Sequence, residues 1–229
     1  MDGTILNTED IYTQCTTEIL NDFGKGPLTW DVKIKLQGRP GPEAVKIILK
    51  EYDLSLTPEE FSQLAVEKQK NRWQDSKFLP GALELLQYLY DNSVPIALGT
   101  SSNSYNFNKK TAHLQHGFNL FGPHVVTGDD ERIPPGRGKP HPDIWFACLN
   151  SLNKEREEQG LEAILIEECL IFEDGIPGVK SGIAANSYVI WIPDAQALKV
   201  LDGEEKIVIG NGGEILKSLV HFDKSKYSL

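Results

Sequence analysis

The sequence is short of positive charge. Twenty-three Lys and Arg stand against 33 Asp and Glu, a formal net charge of −10 over 229 residues. Proteins that track a nucleic acid or lie on an anionic membrane present a basic face, so the balance argues against both partners. A phosphorylated ligand would have to be attracted locally, by a metal, a lysine or helix N-termini. Cysteine is scarce as well. Cys15, Cys148 and Cys169 are odd in number and lack the paired spacing of a zinc site, which predicts reduced thiols in a cytoplasmic protein. No apolar run approaches the ~20 residues that span a bilayer, and no signal-peptide pattern is present. Internal repeats and low-complexity tracts are missing, and no feature fixes an oligomeric state.

What is present suffices for a packed core. Hydrophobic residues make up 40% and charged residues 24%, consistent with one large domain or a core with a smaller insert. Up to about residue 80 the patterning is helical, with no convincing strand. Ile11, Cys15 and Ile19 recur at four-residue spacing, and Gly24 supplies a stop. Ala44, Ile47 and Ile48 form a second stripe after the Pro40-Gly41-Pro42 break. Thr57-Pro58-Glu59-Glu60 is a capping box with proline at the first helical position, opening a helix that carries Phe61, Leu64 and Ala65. Trp30 and Trp73 read as core of this helical part.

Beyond "FLPGALELLQYL" (78–89) strands and helices alternate. "VPIALGT" (94–100), "HVVTG" (124–128), "CLIFEDG" (169–175), "YVIWIP" (188–193) and "KIVIG" (206–210) read as short apolar strands. "PDIWFACLNSL" (142–152) and "PGVKSGIAA" (177–185) read as helices between them. This alternation predicts an α/β fold with a parallel sheet covered on both faces, whose ligands sit at the carboxyl ends of the strands.

Three strand-end clusters carry chemistry. Thr100, Ser101, Ser102 and Asn103 follow the first strand and form either an anion cradle or an ordinary helix cap. In "GRGKPHPDIW" (136–145), Gly138 and Pro140 hold Lys139 ahead of a helix, as a fixed cation or as plain surface. His141 has no second histidine at ligand spacing and reads as a loop residue. "IFEDGIPGVKSG" (171–182) places Glu173 and Asp174 after an apolar strand, where carboxylates suit a hard cation such as Mg²⁺. The alternative is that Asp174 merely caps the next helix.

The order Asp-Gly-Thr, strand-Thr-Ser, Gly-Lys-Pro, strand-Glu-Asp-Gly resembles the haloacid dehalogenase superfamily, in the branch with a helical cap. The resemblance covers essentially the whole chain. It implies a Rossmann-like, doubly wound parallel sheet formed by residues 1–8 and 80–229, with a helical cap at 9–79. "TSSNSYNFNKKT", "VVTGDD", "GKPHPDIWFAC" and "FEDGIPGV" look most like the pseudouridine-5′-phosphatase group. Sugar-phosphate and glycerol-phosphate phosphatases are competitors, a phosphomutase shares the same core motifs, and a non-catalytic phosphate- or partner-binding protein is a further alternative.

The resemblance implies a Mg²⁺-dependent phosphatase of small phosphorylated metabolites that works through an aspartyl-phosphate. Asp2 would be the acid/base, and its backbone carbonyl a metal ligand. Thr100 and the Ser101 N–H would hold phosphoryl oxygens, Lys139 would neutralise charge, and Asp174 with Glu173 would anchor the metal. Arg39, in the cap loop "LQGRPGPEA" (36–44), and Glu9, at the core-to-cap junction, are substrate-contact candidates. Arg39 reads equally as surface, and Glu9 as helix-start charge.

Family members carry Asp-x-Asp-Gly-Thr with the first aspartate as nucleophile. In "MDGTILNTE" the second aspartate is Asp2, so the nucleophile falls before Met1, outside the sequence. The strand that should precede it, central in this fold, would bury four or five apolar side chains at ~1.5–3 kcal/mol each. The expectation is therefore a shortened gene model begun at an internal methionine, with almost no phosphatase activity of its own.

Overall fold

Helix α1 (Thr8–Asp22) turns Ile11, Cys15 and Ile19 into the interior, as their spacing predicts. It ends just before Gly24, whose φ of +68° is the left-handed conformation that glycine adopts without strain. A short helix α2 (Trp30–Lys33), α3 (Gly41–Glu51) and α4 (Pro58–Gln69) follow, with no strand among them. The capping box closes reciprocally: Thr57 Oγ1 accepts from Glu60 N at 3.2 Å and Glu60 Oε2 accepts from Thr57 N at 2.7 Å. These helices pack around Ile19, Leu20, Ile48, Leu54 and Phe61. Of the second predicted stripe only Ile48 is fully buried, and Leu64 on α4 lies at the surface.

The computed structural model describes all 229 residues. From residue 82 onward helices and strands alternate: α5 (Ala82–Asp91), β1 (Leu98–Gly99), α6 (Ser104–Thr111), α7 (Gln115–Phe118), β2 (Val125–Val126), α8 (Asp143–Glu158), β3 (Leu170–Glu173), α9 (Ile176–Ala184) and β4 (Tyr188–Trp191). Then come α10 (Ala195–Leu201), α11 (Glu205–Ile209) and β5 (Gly213–Ile215). Every strand pairing is parallel: β1 with β2, and β3–β4–β5 as a second sheet. Four of the five predicted strands form.

The fifth is a correction. "KIVIG" is the helix α11, with Ile207 82% exposed and only Ile209 buried. An apolar run this short does not distinguish helix from strand by its pattern. The edge strand is instead Gly213–Ile215, where a side chain on Gly213 would come 2.0 Å from the Val189 carbonyl. Glycine there lets the two backbones approach.

The two sheets do not hydrogen-bond to each other. Leu98 and Gly99 of β1 and Leu170–Phe172 of β3 line one largely apolar cavity of about 600 Å³, shared with Met1, Ile5, Leu85 and Leu89.

Candidate active site

The carboxyl ends of β1 and β3 meet the helical part at a second, polar cavity of about 460 Å³. Thr100, just past β1, is 2% exposed, and its Oγ1 accepts from Ser102 N at 3.2 Å. The capping of α6 falls to Asn103, whose Oδ1 accepts from Asn106 N at 2.8 Å. Thr100 is thus free of the bland capping role. Ser101 Oγ donates to the Gly38 carbonyl at 3.3 Å, seating the loop between α2 and α3 on the core. Gly38 also approaches Pro177 and Gly175, so this loop lies over the start of α9.

Lys139 is buried. Its Nζ donates to Glu173 Oε1 at 2.6 Å and to the Gly99 carbonyl at 3.2 Å, and lies 4.5 Å from the centre of the Trp145 ring. The cation is therefore fixed between the ends of β1 and β3. Glu173 is held chiefly as the partner of this lysine. Gly178 leaves it room, because a Cβ there would stand 2.1 Å from the Glu173 carboxyl carbon.

Asp174 does not cap α9, whose N-cap is Gly175. Its Oδ1 accepts a 3.4 Å hydrogen bond from Thr4 Oγ1, while its buried Oδ2 has no partner. Burial, followed by the Glu9 and Glu173 carboxylates, pushes its pKa well above the ordinary value. An orphaned carboxylate oxygen in a field of like charges is a place for a cation. No three carboxylate, histidine or thiol side chains converge on one point. The fit is to Mg²⁺, which takes one or two carboxylates and completes its shell with water and phosphate, rather than to an ion needing a full side-chain cage.

Asp2 accepts three hydrogen bonds. Thr8 Oγ1 (2.5 Å) and Lys110 Nζ (2.6 Å) reach Oδ1, and Ser102 Oγ (2.9 Å) reaches Oδ2. Burial pushes the carboxyl up, but the Lys110 ammonium, the amino terminus and the hydrogen bonds from Lys110 and Thr8 outweigh it and hold Asp2 far below the usual carboxylate range. Lys110 was not singled out from sequence. It is fully buried, lies 4.6 Å and 5.1 Å from the Tyr12 and Trp73 ring centres, and also donates to Ser102 Oγ. The available signal was spacing: Lys110 is seven residues after the cap Asn103, two turns along the same face of α6.

Glu9 lines the cavity near Lys33, and burial raises its pKa. Arg39 stands on the same wall, but its guanidinium donates to the Lys35 carbonyl at 2.7 Å and to Glu43 Oε2 at 3.4 Å. Asp2, Glu9, Thr100, Ser101, Lys139, Glu173 and Asp174 are brought together around one cavity, with Arg39 at its wall.

The family model for haloacid dehalogenase-like hydrolases matches residues 1–192, and the chain belongs to that family. It is 52% identical over 229 residues to a probable pseudouridine-5′-phosphatase of Saccharomyces cerevisiae, covering all of this chain and 94% of the relative. A mitochondrial (DL)-glycerol-3-phosphatase of Arabidopsis thaliana is 30% identical over 231 residues, covering all of this chain and 72% of the relative. Among solved structures, CbbY from Rhodobacter sphaeroides in complex with phosphate superposes with a TM-score of 0.72 at 18% identity, covering 96% of this chain and 92% of that one. At that identity the likeness concerns the Rossmann-like α/β fold alone.

Proposed function

We propose that the polar cavity is the site of a phosphoric monoester hydrolase acting on small phosphorylated metabolites. The observation that carries this reading is that Thr100, Lys139 and Asp174, from three separate strand-end loops, share the wall of one cavity of about 460 Å³. Phosphoryl transfer asks a protein mainly for positioning and charge neutralisation, and this set offers both. Thr100 Oγ1 and the Ser101 N–H hold phosphoryl oxygens. The Lys139 ammonium, already fixed by Glu173, balances charge at the phosphate. Asp174, with Glu173 beside it and the Asp2 carbonyl, would hold Mg²⁺, which when bound supplies charge neutralisation at the phosphoryl oxygens.

Asp2 is the acid/base. In the arrangement described it is ionised, the form that takes a proton from water. Delivering a proton to the leaving oxygen requires its carboxyl to leave the Lys110–Thr8 contacts. In the family pattern the phosphoryl acceptor is an aspartate two positions before the acid/base. The geometry of the cavity supports binding of a phosphoester at these residues.

Residues 9–79 act as the cap, and residues 1–8 with 80–229 as the core. No helix is long and apolar enough to cross a membrane, and the three free thiols fit the reducing cytoplasm. Pseudouridine 5′-phosphate is the first candidate substrate, supported by the name of the relative at 52% identity; sugar and glycerol phosphates follow. A panel of phosphorylated metabolites, assayed with Mg²⁺ on this chain extended by an apolar strand ending in aspartate, tests the ranking. Preference for a hexose or glycerol phosphate rejects the nucleotide assignment.

A further inference from the structure

The Asp174 side chain has little of its own to hold it at the polar cavity. Its Oδ1 accepts one long hydrogen bond, 3.4 Å from Thr4 Oγ1, and its Oδ2 accepts none. The Glu9 and Glu173 carboxylates are close enough to repel it. Its place must therefore be set by the backbone that carries it. Neither the Asp174 N–H nor its carbonyl makes a main-chain hydrogen bond. The carbonyl oxygen has one donor, the Trp191 indole, with Nε1 at 2.8 Å. Trp191 is 1% exposed and ends β4 in parallel register with Glu173, the last residue of β3. Register partners project to the same face of a sheet, so the indole stands beside Glu173 and its length carries the N–H on to the next carbonyl. Indole nitrogen donates and never accepts, which matches a carbonyl oxygen. The ring itself packs in the cluster of Ile171, Val179, Val189, Leu201 and Ile209.

We propose that Trp191 is a positioning residue of the metal site, its indole N–H fixing the Asp174 peptide so that the carboxylate is in place before a cation arrives. This rests on the reading of Asp174 as a Mg²⁺ anchor. A buried carbonyl stripped of its donor is costly, and rotation of the peptide toward another partner relieves that cost. Gly175 follows directly and offers little resistance to such a rotation, which would swing the Asp174 carboxylate with it. Phenylalanine at position 191 would fill most of the space and supply no donor. Groups that orient a metal ligand without touching the metal commonly change metal affinity by about 10–100-fold when removed, so the tether is a matter of affinity and not only of packing.

Mg²⁺ titration of the 229-residue chain, read as the rise of its thermal midpoint, tests the assignment without any turnover. Trp191→Phe should weaken the Mg²⁺ Kd by about tenfold or more. Benzothienylalanine at position 191, which keeps the ring shape and puts sulfur where the N–H was, should weaken it equally and covers the case in which the phenylalanine variant does not fold. Leu201→Ala opens the same cluster without removing a hydrogen bond from Asp174. It should lower the metal-free midpoint and leave the Mg²⁺ Kd at the parent value. A benzothienylalanine form that binds Mg²⁺ as tightly as the parent, or a Leu201→Ala variant that loses as much affinity as the position-191 variants, reduces Trp191 to packing and overturns this assignment alone. A parent with no Mg²⁺ response, or an Asp174→Asn variant with the full response, overturns the metal reading of Asp174 along with it.

Discussion

Lys110 Nζ stands 2.6 Å from Asp2 Oδ1, in an ion pair where the lysine side chain is fully buried and the aspartate partly buried. The pair joins the second turn of α6 to the Asp-Gly-Thr turn. Around it lie Tyr12, on α1, and Trp73, on the segment returning from α4. Ser76 Oγ donates to the Lys110 carbonyl at 3.0 Å. The acid/base candidate and both passages between the helical part and the core therefore meet at one lysine.

Lys110→Met should be severe for stability. Removing one partner of a buried pair leaves an uncompensated charge, costing about 3–5 kcal/mol in urea unfolding at neutral pH. The pH dependence has a definite sign. The Asp2 pKa is depressed from 3.8, so its contribution is present above that value and lost as pH falls through the lower, folded-state value. The gap between the parent and Lys110→Met should thus be constant near neutrality and shrink on acidification below about pH 4. A gap that persists unchanged into acid would contradict the pairing.

Asp174→Asn should affect stability and metal binding in opposite directions. The Asp174 pKa is raised by burial and by Glu9 and Glu173, so as a carboxylate it destabilises the metal-free fold at neutral pH, and the amide should gain about 1 kcal/mol. Mg²⁺ should raise the thermal midpoint of the parent, by an amount equivalent to ~2.7 kcal/mol at a hundredfold excess over Kd. The variant should lose that response. Equal Mg²⁺ responses in the two proteins would move the metal away from Asp174.

Gly178→Ala tests the support of the buried cation. The added methyl would fall 2.1 Å from the Glu173 carboxyl carbon, displacing the partner of Lys139. Overpacking of this kind costs about 1–3 kcal/mol, and phosphate affinity should fall with it. Parent-like stability and phosphate binding would mean that Glu173 has another position available.

Thr100, Lys139 and Asp174 were legible in the sequence because each sits in a short loop at a strand end, where local residue types announce the turn. Thr57 was legible for the same reason: its cap partner is three residues away. Lys110 was not, since it is one of two adjacent lysines on a helix and its burial depends on a distant partner. Lys110 needs Asp2, 108 positions away, and Lys109 beside it carries the same side chain. "KIVIG" misled because its five residues suit a strand as well as a helix, and the helix that forms puts only Ile209 into the core, against α9 and β5.

Turnover of an aryl phosphate by this chain extended at its N-terminus, with an apolar strand ending in either aspartate or asparagine, bears most directly on the proposed chemistry. The aspartate form should hydrolyse it in a Mg²⁺-dependent way, with Lys139→Ala raising the barrier by ~2–4 kcal/mol. The asparagine form and the unextended 229 residues should be nearly inert. Robust Mg²⁺-dependent hydrolysis by the 229 residues themselves would contradict the assignment of Asp2 as acid/base rather than nucleophile.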